Sequence, residues 1–181
     1  MTSAVALLRG INVGGHRRVP MAELRELAES IGLESPRTYV ASGNLLFRTN
    51  RSREDAAAEL ERAIERRFGF FVDVLVRTRE EWQVYRESNP FRAAADEQPK
   101  WVWMFLSKEQ PRGAAATELT AAAPGVRVQR TRDAIWTQFP EGVSTKILAI
   151  NWDKIIGSPS TSRNWRTVGT IGRMLDELQI G

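Results

Sequence analysis

The order of apolar segments in the first half of the chain constrains its fold more than any other feature. Short continuous or alternating apolar runs predict strands, whereas apolar residues spaced by three or four predict helices. On this basis residues 1–77 have the order β-α-β-β-α-β. The predicted strands cover residues 4–8, 38–41, 45–49 and 72–76, and the predicted helices cover residues 20–31 and 53–68.

The boundaries of these elements carry the expected local signals. Pro20 stands at the start of a helix, where proline is best tolerated, and Ser52 is a typical N-cap for the second helix. A glycine follows the end of each helix, as is common at helix C-termini. The segment Ser42-Gly43-Asn44 between the two middle strands is typical of a hairpin turn.

This element order matches the ferredoxin-like unit, whose four strands lie in the order 4-1-3-2 and run antiparallel to their neighbours. In that topology the end of the first strand and the turn between the second and third strands share one edge of the sheet. The glycine-rich loop at residues 10–19 and the turn at residues 42–44 should therefore be neighbours. They are expected to start roughly 10 Å apart, because one strand separates them.

The second half of the chain shows a degenerate version of the same order, with its last strand expected to be missing or replaced. Its predicted strands cover residues 100–106, 126–130 and 134–139, and its predicted helices cover residues 78–87, 111–123, 144–156 and 164–178. We therefore predict an α+β protein of two tandem ferredoxin-like subdomains, with mainly antiparallel sheets and helices packed on one face. The predicted subdomains are residues 1–77 and 100–181, joined by a helical linker at residues 78–99.

The composition excludes several kinds of site. The chain has no cysteine, which rules out disulfides, thiolate nucleophiles and cysteine zinc sites, and His16 is its only histidine. We therefore predict no metal site and no cofactor. The net charge is +4, and arginine far outnumbers lysine. Such a bias fits either genomic composition or contacts with phosphate groups.

The chain carries no sign of membrane insertion. No apolar run approaches the length needed to span a bilayer. The first residues lack the basic segment and long apolar core of a signal peptide. We therefore expect a cytoplasmic protein that does not enter the membrane, and we leave its oligomeric state open.

The loop RGINVGGHRR, which follows the first strand, is the most informative segment for function. Gly14 and Gly15 allow the backbone to approach a ligand closely, and successive amides in such a loop can form an anion-binding nest. Arg9 and Arg17 add positive charge, and Asn12 adds an amide. The spacing matches neither a Walker loop nor a dinucleotide fingerprint. The loop is thus either a phosphate site or a glycine-rich turn with solvated arginines.

Two other segments could complete such a site. Ser42 and Asn44 lie in a turn of an ordinary structural type, and only its predicted position beside the glycine-rich loop suggests a ligand contact. Arg163 and Asn164 lie at the predicted start of the last helix, where the helix N-terminus together with Arg163 and Arg166 favours phosphate binding. Both segments could equally be structural.

Two of the tryptophans are candidates for stacking on nucleobases. Trp101 and Trp103 alternate along a predicted strand, and aromatic residues on a ferredoxin-like sheet can stack nucleobases. The pattern of basic, glycine and aromatic residues typical of RNA-recognition modules is absent from both halves, so packing in the core and at the subdomain interface is the favoured interpretation.

Four stretches of the chain resemble the bacterial family catalogued as domain of unknown function 1697. They are LLRGINVGG (7–15), TYVASGNLLF (38–47), SNPF (88–91) and TSRNWRTV (161–168). The resemblance covers essentially the whole chain and implies two ferredoxin-like subdomains in tandem, but no established activity or catalytic residues. The segment Ser144-Thr145-Lys146 departs from the family by one extra residue between serine and lysine, which weakens any role for Ser144.

These features predict binding of a phosphate-bearing ligand, either a nucleotide or a nucleic acid, at the edge that holds the glycine-rich loop. One alternative is an enzyme, a hydrolase or transferase for a small substrate, at the same edge. It would need a titrating group such as His16, or a pairing of Ser42 or Ser144 with Lys146. A protein-interaction module with an exposed apolar patch is a further alternative. The catalytic residues of an enzyme are not identified by any motif.

Overall fold

The computed structural model of the protein describes residues 1–140, 147 and 149–180. The described chain forms two four-stranded antiparallel sheets accompanied by helices. The prediction of an α+β protein with two tandem ferredoxin-like units is confirmed.

The first sheet has the predicted ferredoxin-like topology. Its strands lie in the order β2-β3-β1-β4, and each neighbouring pair is antiparallel. The elements are β1 (Thr2–Leu8), α1 (Met21–Ser30), β2 (Glu34–Tyr39), β3 (Asn44–Thr49), α2 (Arg53–Phe68) and β4 (Val74–Thr78).

The second sheet repeats this topology with the strand order β6-β7-β5-β8. The remaining elements are α3 (Arg79–Glu87), α4 (Arg92–Glu97), β5 (Val102–Ser107), α5 (Ala115–Ala122), β6 (Arg127–Thr131), β7 (Ala134–Gln138), α6 (Trp152–Ile156), β8 (Ser160–Asn164) and α7 (Trp165–Ile180). The predicted helix at residues 144–156 is described only in part, because Ser144 and Lys146 lie outside the described residues.

The chain divides into two compact units. The first comprises residues 1–84 and 170–181, and the second comprises residues 85–169. The division therefore groups the C-terminal part of α7 with the first unit, whereas the predicted ranges assign it to the second subdomain.

Two strand predictions are corrected by the structure. The expected loss of the last strand is wrong, because β8 pairs with β5; its sequence, STSRN, is polar and has no apolar alternation to reveal it. The second strand was predicted at residues 38–41 but runs from Glu34 to Tyr39. It contains Pro36, which a strand tolerates at the edge of a sheet, and its register shifts between Glu34 and Arg37.

The core of the first unit lies between the sheet and helices α1 and α2. Alternate positions of the strands contribute their side chains to it, and they pack with apolar residues of both helices. The strand positions are Ala4, Ala6, Leu8, Leu45, Phe47, Val74 and Val76, and the helix positions include Leu24, Ala28, Leu60 and Ile64. The side chain of Ser52 accepts a hydrogen bond from the Asp55 amide, so the predicted N-cap of α2 is confirmed.

The centre of the opposite face of this sheet, on strands β1 and β3, is also covered. Val5, Leu7 and Leu46 alternate with the core positions and are at most 1% exposed. The C-terminal part of α7 is joined to the first unit by side-chain hydrogen bonds. Gln179 accepts from the Ser3 amide at 3.2 Å, and Asp176 accepts from Arg79 Nε at 2.7 Å.

No helix in the described part of the chain combines the length and the apolar character needed to cross a membrane.

The turn between β2 and β3 packs directly against the end of β1. The Leu8 amide donates to the Gly43 carbonyl at 2.9 Å, and Gly43 has a φ of 86°. A Cβ atom at this position would lie 2.8 Å from Leu8 Cβ and 3.0 Å from the Leu8 carbonyl oxygen. Only glycine allows the two backbones to approach so closely.

This close approach predicts the effect of substituting Gly43. Gly69, at the C-terminus of α2, is a matched control, because its φ is 79° and nothing lies within 4 Å of the added Cβ. We expect Gly69→Ala to lower the free energy of unfolding by about 1 kcal/mol, from backbone strain alone. Gly43→Ala should lower it by about 3 kcal/mol, since the clash adds to the same strain. Urea denaturation measures both values, and equal losses would contradict the packing argument.

Candidate functional site

The glycine-rich loop after β1 is closed by its own backbone. The Asn12 amide donates to the Arg17 carbonyl at 3.1 Å, and the His16 amide donates to the Val13 carbonyl at 3.2 Å. These bonds draw the segment into a small hairpin whose exposed tip contains Gly14.

The side chain of Asn12 ties this loop to the neighbouring turn. Its Nδ2 atom donates to the Val19 carbonyl at 3.0 Å and to the Ala41 carbonyl at 2.8 Å, while its Oδ1 atom accepts from the Val19 amide at 2.9 Å. The predicted shared edge of the loop and the turn is thereby confirmed. The amide of Asn12 is occupied by these bonds, so Asn12 contributes to a site by positioning the loop.

Asn44, the first residue of β3, has a comparable role at the end of the turn. It is fully buried, and its Nδ2 atom donates to the Tyr39 carbonyl at 2.8 Å and to Ser42 Oγ at 3.4 Å. Ser42 itself is exposed. Of the two residues predicted in this turn, Ser42 is the one that solvent reaches.

Arg9 lies at the base of the loop. Its backbone amide donates to the Asp73 carbonyl at 3.0 Å, and its guanidinium lies 3.9 Å from the Asp73 carboxylate. The side chain of Arg9 is 35% exposed, so it can reach a ligand at the edge of the sheet.

The outer part of the loop holds the unpaired polar groups. Within the described chain, the guanidinium groups of Arg17 and Arg18 form no hydrogen bond or ion pair. The Nη1 atom of Arg17 lies close to Gly10, 3.8 Å from the position that a Cβ atom on Gly10 would occupy. The amides of Gly14 and Gly15, at the tip, also have no hydrogen-bond partner among the described residues. The edge of the sheet therefore presents backbone N–H groups and positive charge together.

Val40 is a feature of this edge that sequence patterns did not reveal. Its φ is 49°, although a β-branched residue strongly disfavours the left-handed region, and its side chain is 50% exposed. Strain of this kind costs about 1–3 kcal/mol and is concentrated at functional sites. A polar or glycine residue would have signalled the turn, but valine gives no such signal.

Arg163 and Asn164 belong to the second unit, and each has a local role there. Arg163 lies in β8, two residues before α7 begins at Trp165, so it stands at the start of the last helix as predicted. It is 7% exposed and donates to Thr161 Oγ1 at 2.8 Å and to the Ser162 carbonyl at 2.7 Å. Burial lowers the pKa of its guanidinium to about 10, so it stays cationic at neutral pH. Asn164 caps α7, with its Oδ1 atom accepting from the Thr167 amide at 3.0 Å.

The two candidate base-stacking tryptophans pack in the second unit. Trp101 and Trp103 lie against its apolar core, and Trp103 Nε1 donates to the Lys100 carbonyl at 2.8 Å. The ring of Trp103 also meets that of Phe139 edge to face, at a centroid distance of 6.3 Å. The prediction of core packing is confirmed. Among the described residues, no three histidine, aspartate or glutamate side chains cluster as metal ligands would.

The bonds of Asn12 predict a specific stability defect. In Asn12→Asp, a carboxylate oxygen can still accept the hydrogen bond from the Val19 amide. The two hydrogen bonds donated by Nδ2 are lost, and a carboxylate then faces the carbonyl oxygens of Val19 and Ala41. We expect the free energy of unfolding to fall by about 2 kcal/mol at pH 7. The exposed Asn50 provides the control, since Asn50→Asp should change it by about 0.5 kcal/mol or less. Chemical denaturation compares the two, and an Asn12→Asp protein as stable as the control would show that the amide does not hold the loop.

Comparison with known proteins bears on the fold and the family. A comparison with curated proteins gives no match. Among solved structures, the chain resembles the conserved bacterial protein SP0830 from Streptococcus pneumoniae, with 24% sequence identity and a TM-score of 0.77. The alignment covers 97% of this chain and 99% of that chain. This likeness shows the fold over nearly the whole length.

A comparison of the sequence with models of protein families identifies the family of the chain. The model of one family matches residues 1–136, which include the glycine-rich loop, the β2–β3 turn and all of the first sheet. Because this match extends over more than half of its length, the chain belongs to the family described as Protein of unknown function (DUF1697).

Proposed function

We propose that the glycine-rich loop at residues 9–19, together with the turn at residues 40–43, binds the phosphate group of a nucleotide or nucleic acid. One observation carries the proposal. Two glycine amides at the loop tip lack partners in the described chain, and the same loop carries two arginines whose guanidinium groups are likewise unpaired there.

The backbone of the loop favours an anionic ligand. Residues with positive φ recur along it: Asn12 at 56°, Gly14 at 60°, Gly15 at 79° and Arg17 at 50°. Backbone segments that combine left-handed with right-handed residues turn successive N–H groups inward and form concave anion sites. A phosphate group satisfies several such donors at once, which water does less well.

The arginines supply charge and directional donors. A guanidinium presents paired N–H groups that match the oxygens of a phosphate, and such charge-assisted hydrogen bonds are among the strongest in proteins. We assign direct ligand contacts to Arg9, Arg17 and the backbone of the glycine pair, and a weaker contact to Ser42.

Asn12 and Asn44 are assigned to positioning, because their side-chain amides already bind backbone carbonyls. The contribution of Arg163 and Asn164 to the same ligand stays a prediction. A cytoplasmic location is part of the proposal, since nucleotides and nucleic acids are abundant in the cytoplasm.

The test is binding of inorganic pyrophosphate, measured by calorimetry and by thermal shift at two salt concentrations. Wild-type protein should be stabilised by about 2.7 kcal/mol at a hundredfold excess over Kd, with a smaller shift at the higher salt concentration. Arg17→Gln should weaken binding about tenfold, because one charge-assisted interaction is lost.

The control for this substitution is Arg66→Gln in α2. It removes the same charge from a side chain that is 64% exposed, and it should leave the affinity unchanged. Equal weakening by both substitutions would indicate a general charge effect rather than a site. If pyrophosphate, nucleotides and short RNA all fail to shift the melting temperature, the proposed function is wrong.

A further inference from the structure

Tyr39 lies on the sheet face opposite helices α1 and α2. It is the last residue of the edge strand β2 and pairs with Asn44 of β3. The preceding residue, Thr38, faces α1, because its Oγ1 atom accepts a hydrogen bond from Arg25 at 2.7 Å. Side chains alternate along a strand, so Tyr39 projects from the other face.

Arg9 projects from the same face. The bond from the Arg9 amide to the Asp73 carbonyl continues the β1–β4 ladder one step beyond the pair of Leu8 and Val74. Leu8 belongs to the core under the helices, so the alternation turns Arg9 to the opposite face. Its loose ion pair with Asp73, the residue across from it, agrees with this orientation.

The spacing of Tyr39 and Arg9 follows from the sheet register. Tyr39 pairs with Asn44, Asn44 pairs with Leu7, and Arg9 lies two residues beyond Leu7. Two strand spacings and two residue rises place the Cα atoms of Tyr39 and Arg9 roughly 12 Å apart. Both side chains are long enough to reach into the interval between them.

The ring of Tyr39 is available at this edge. In the described part of the chain, its ring and hydroxyl group form no hydrogen bond, ion pair or ring contact, and the residue is only half-buried. The strained backbone of Val40 follows immediately and turns the chain at the end of the strand. The other tyrosine, Tyr85, is buried and bonded to Asp133, so it has no comparable freedom.

We propose that the ligand is a nucleotide unit whose base stacks on the ring of Tyr39 while its phosphate is bound by Arg9 and the glycine-rich loop. This rests on the anion site proposed above and extends it by naming the second group that the ligand must carry. Base–aromatic stacking tolerates any base, because every base has a π face, so the geometry specifies a nucleotide and leaves its base open. The same chemistry is offered by a free nucleotide and by single-stranded nucleic acid.

The first experiment uses the wild-type protein and two ligands that differ only in the base. Calorimetry with ribose 5-phosphate and adenosine 5′-monophosphate should give a lower Kd for the nucleotide, by roughly 5- to 150-fold. A single-stranded deoxyadenylate decamer is added as a third ligand. Tighter binding of the decamer identifies nucleic acid as the source of the nucleotide unit, and no gain identifies the free nucleotide. Stacking itself is decided by the comparison of ribose 5-phosphate with the nucleotide.

The second experiment compares two substitutions of Tyr39. Tyr39→Leu should remove the advantage of the nucleotide over ribose 5-phosphate and leave the affinity for ribose 5-phosphate within about twofold. Tyr39→Phe should keep the advantage, because the ring remains. Circular dichroism melting curves establish that both variants are folded, and the ligand comparison in the wild-type protein stands even where Tyr39→Leu does not fold.

The outcomes separate the two proposals. If ribose 5-phosphate and the nucleotide bind wild-type protein equally well, stacking on Tyr39 is wrong and the anion site stands. If the nucleotide is preferred and Tyr39→Leu keeps that preference, the base is recognised elsewhere and the inference is again overturned. If none of the three ligands binds, the anion site and the stacking proposal are both wrong.

Discussion

The backbone of Gly43 lies against the end of β1, and its carbonyl accepts from the Leu8 amide at 2.9 Å. Next to this contact, the side chain of Asn12 donates hydrogen bonds to the carbonyl groups of Ala41 and Val19. These bonds join the glycine-rich loop to the β2–β3 turn, although the two segments are distant in sequence. The loop tip is exposed, whereas the base of the loop is held by the three side-chain hydrogen bonds of Asn12. Every group assigned to the site stands on this framework.

The topology of the first unit is predictable from sequence because the spacing of the apolar residues and the positions of the turn residues indicate the same strands and helices. The continuous apolar run in β1 is short and is followed by a glycine-rich loop, which favours a strand, and the fourfold spacing along α2 favours a helix. Ferredoxin-like topology then follows from the order of the elements. From that topology alone, the glycine-rich loop and the Ser-Gly-Asn turn had to share an edge. The contacts of Asn12 and Leu8 show that they do.

Other features were hidden for physical reasons. β8 is held by backbone pairing with β5, which needs no apolar pattern, so its polar sequence gave no signal. β2 contains a proline and a register shift, which are tolerated because it is an edge strand. The positive φ of Val40 comes from tertiary context, against the local preference of valine. Asn12 and Asn44 are predicted from the sequence as ligand contacts, but sequence does not distinguish an amide that binds a ligand from one that binds backbone carbonyls, as both do here.

The carboxylate of Asp73 limits what Arg9 can contribute. It lies 3.9 Å from the Arg9 guanidinium and is 17% exposed, so a phosphate approaching Arg9 also approaches a negative charge. Net attraction at this edge must therefore come from several groups acting together: the glycine amides, Arg17 and a second, uncharged contact. A small inorganic anion meets only the loop, whereas a ligand with a phosphate at one end and a flat ring at the other would meet both the loop and Tyr39. Such an edge would bind inorganic phosphate or pyrophosphate more weakly than a nucleotide and select ligands by the group attached to the phosphate.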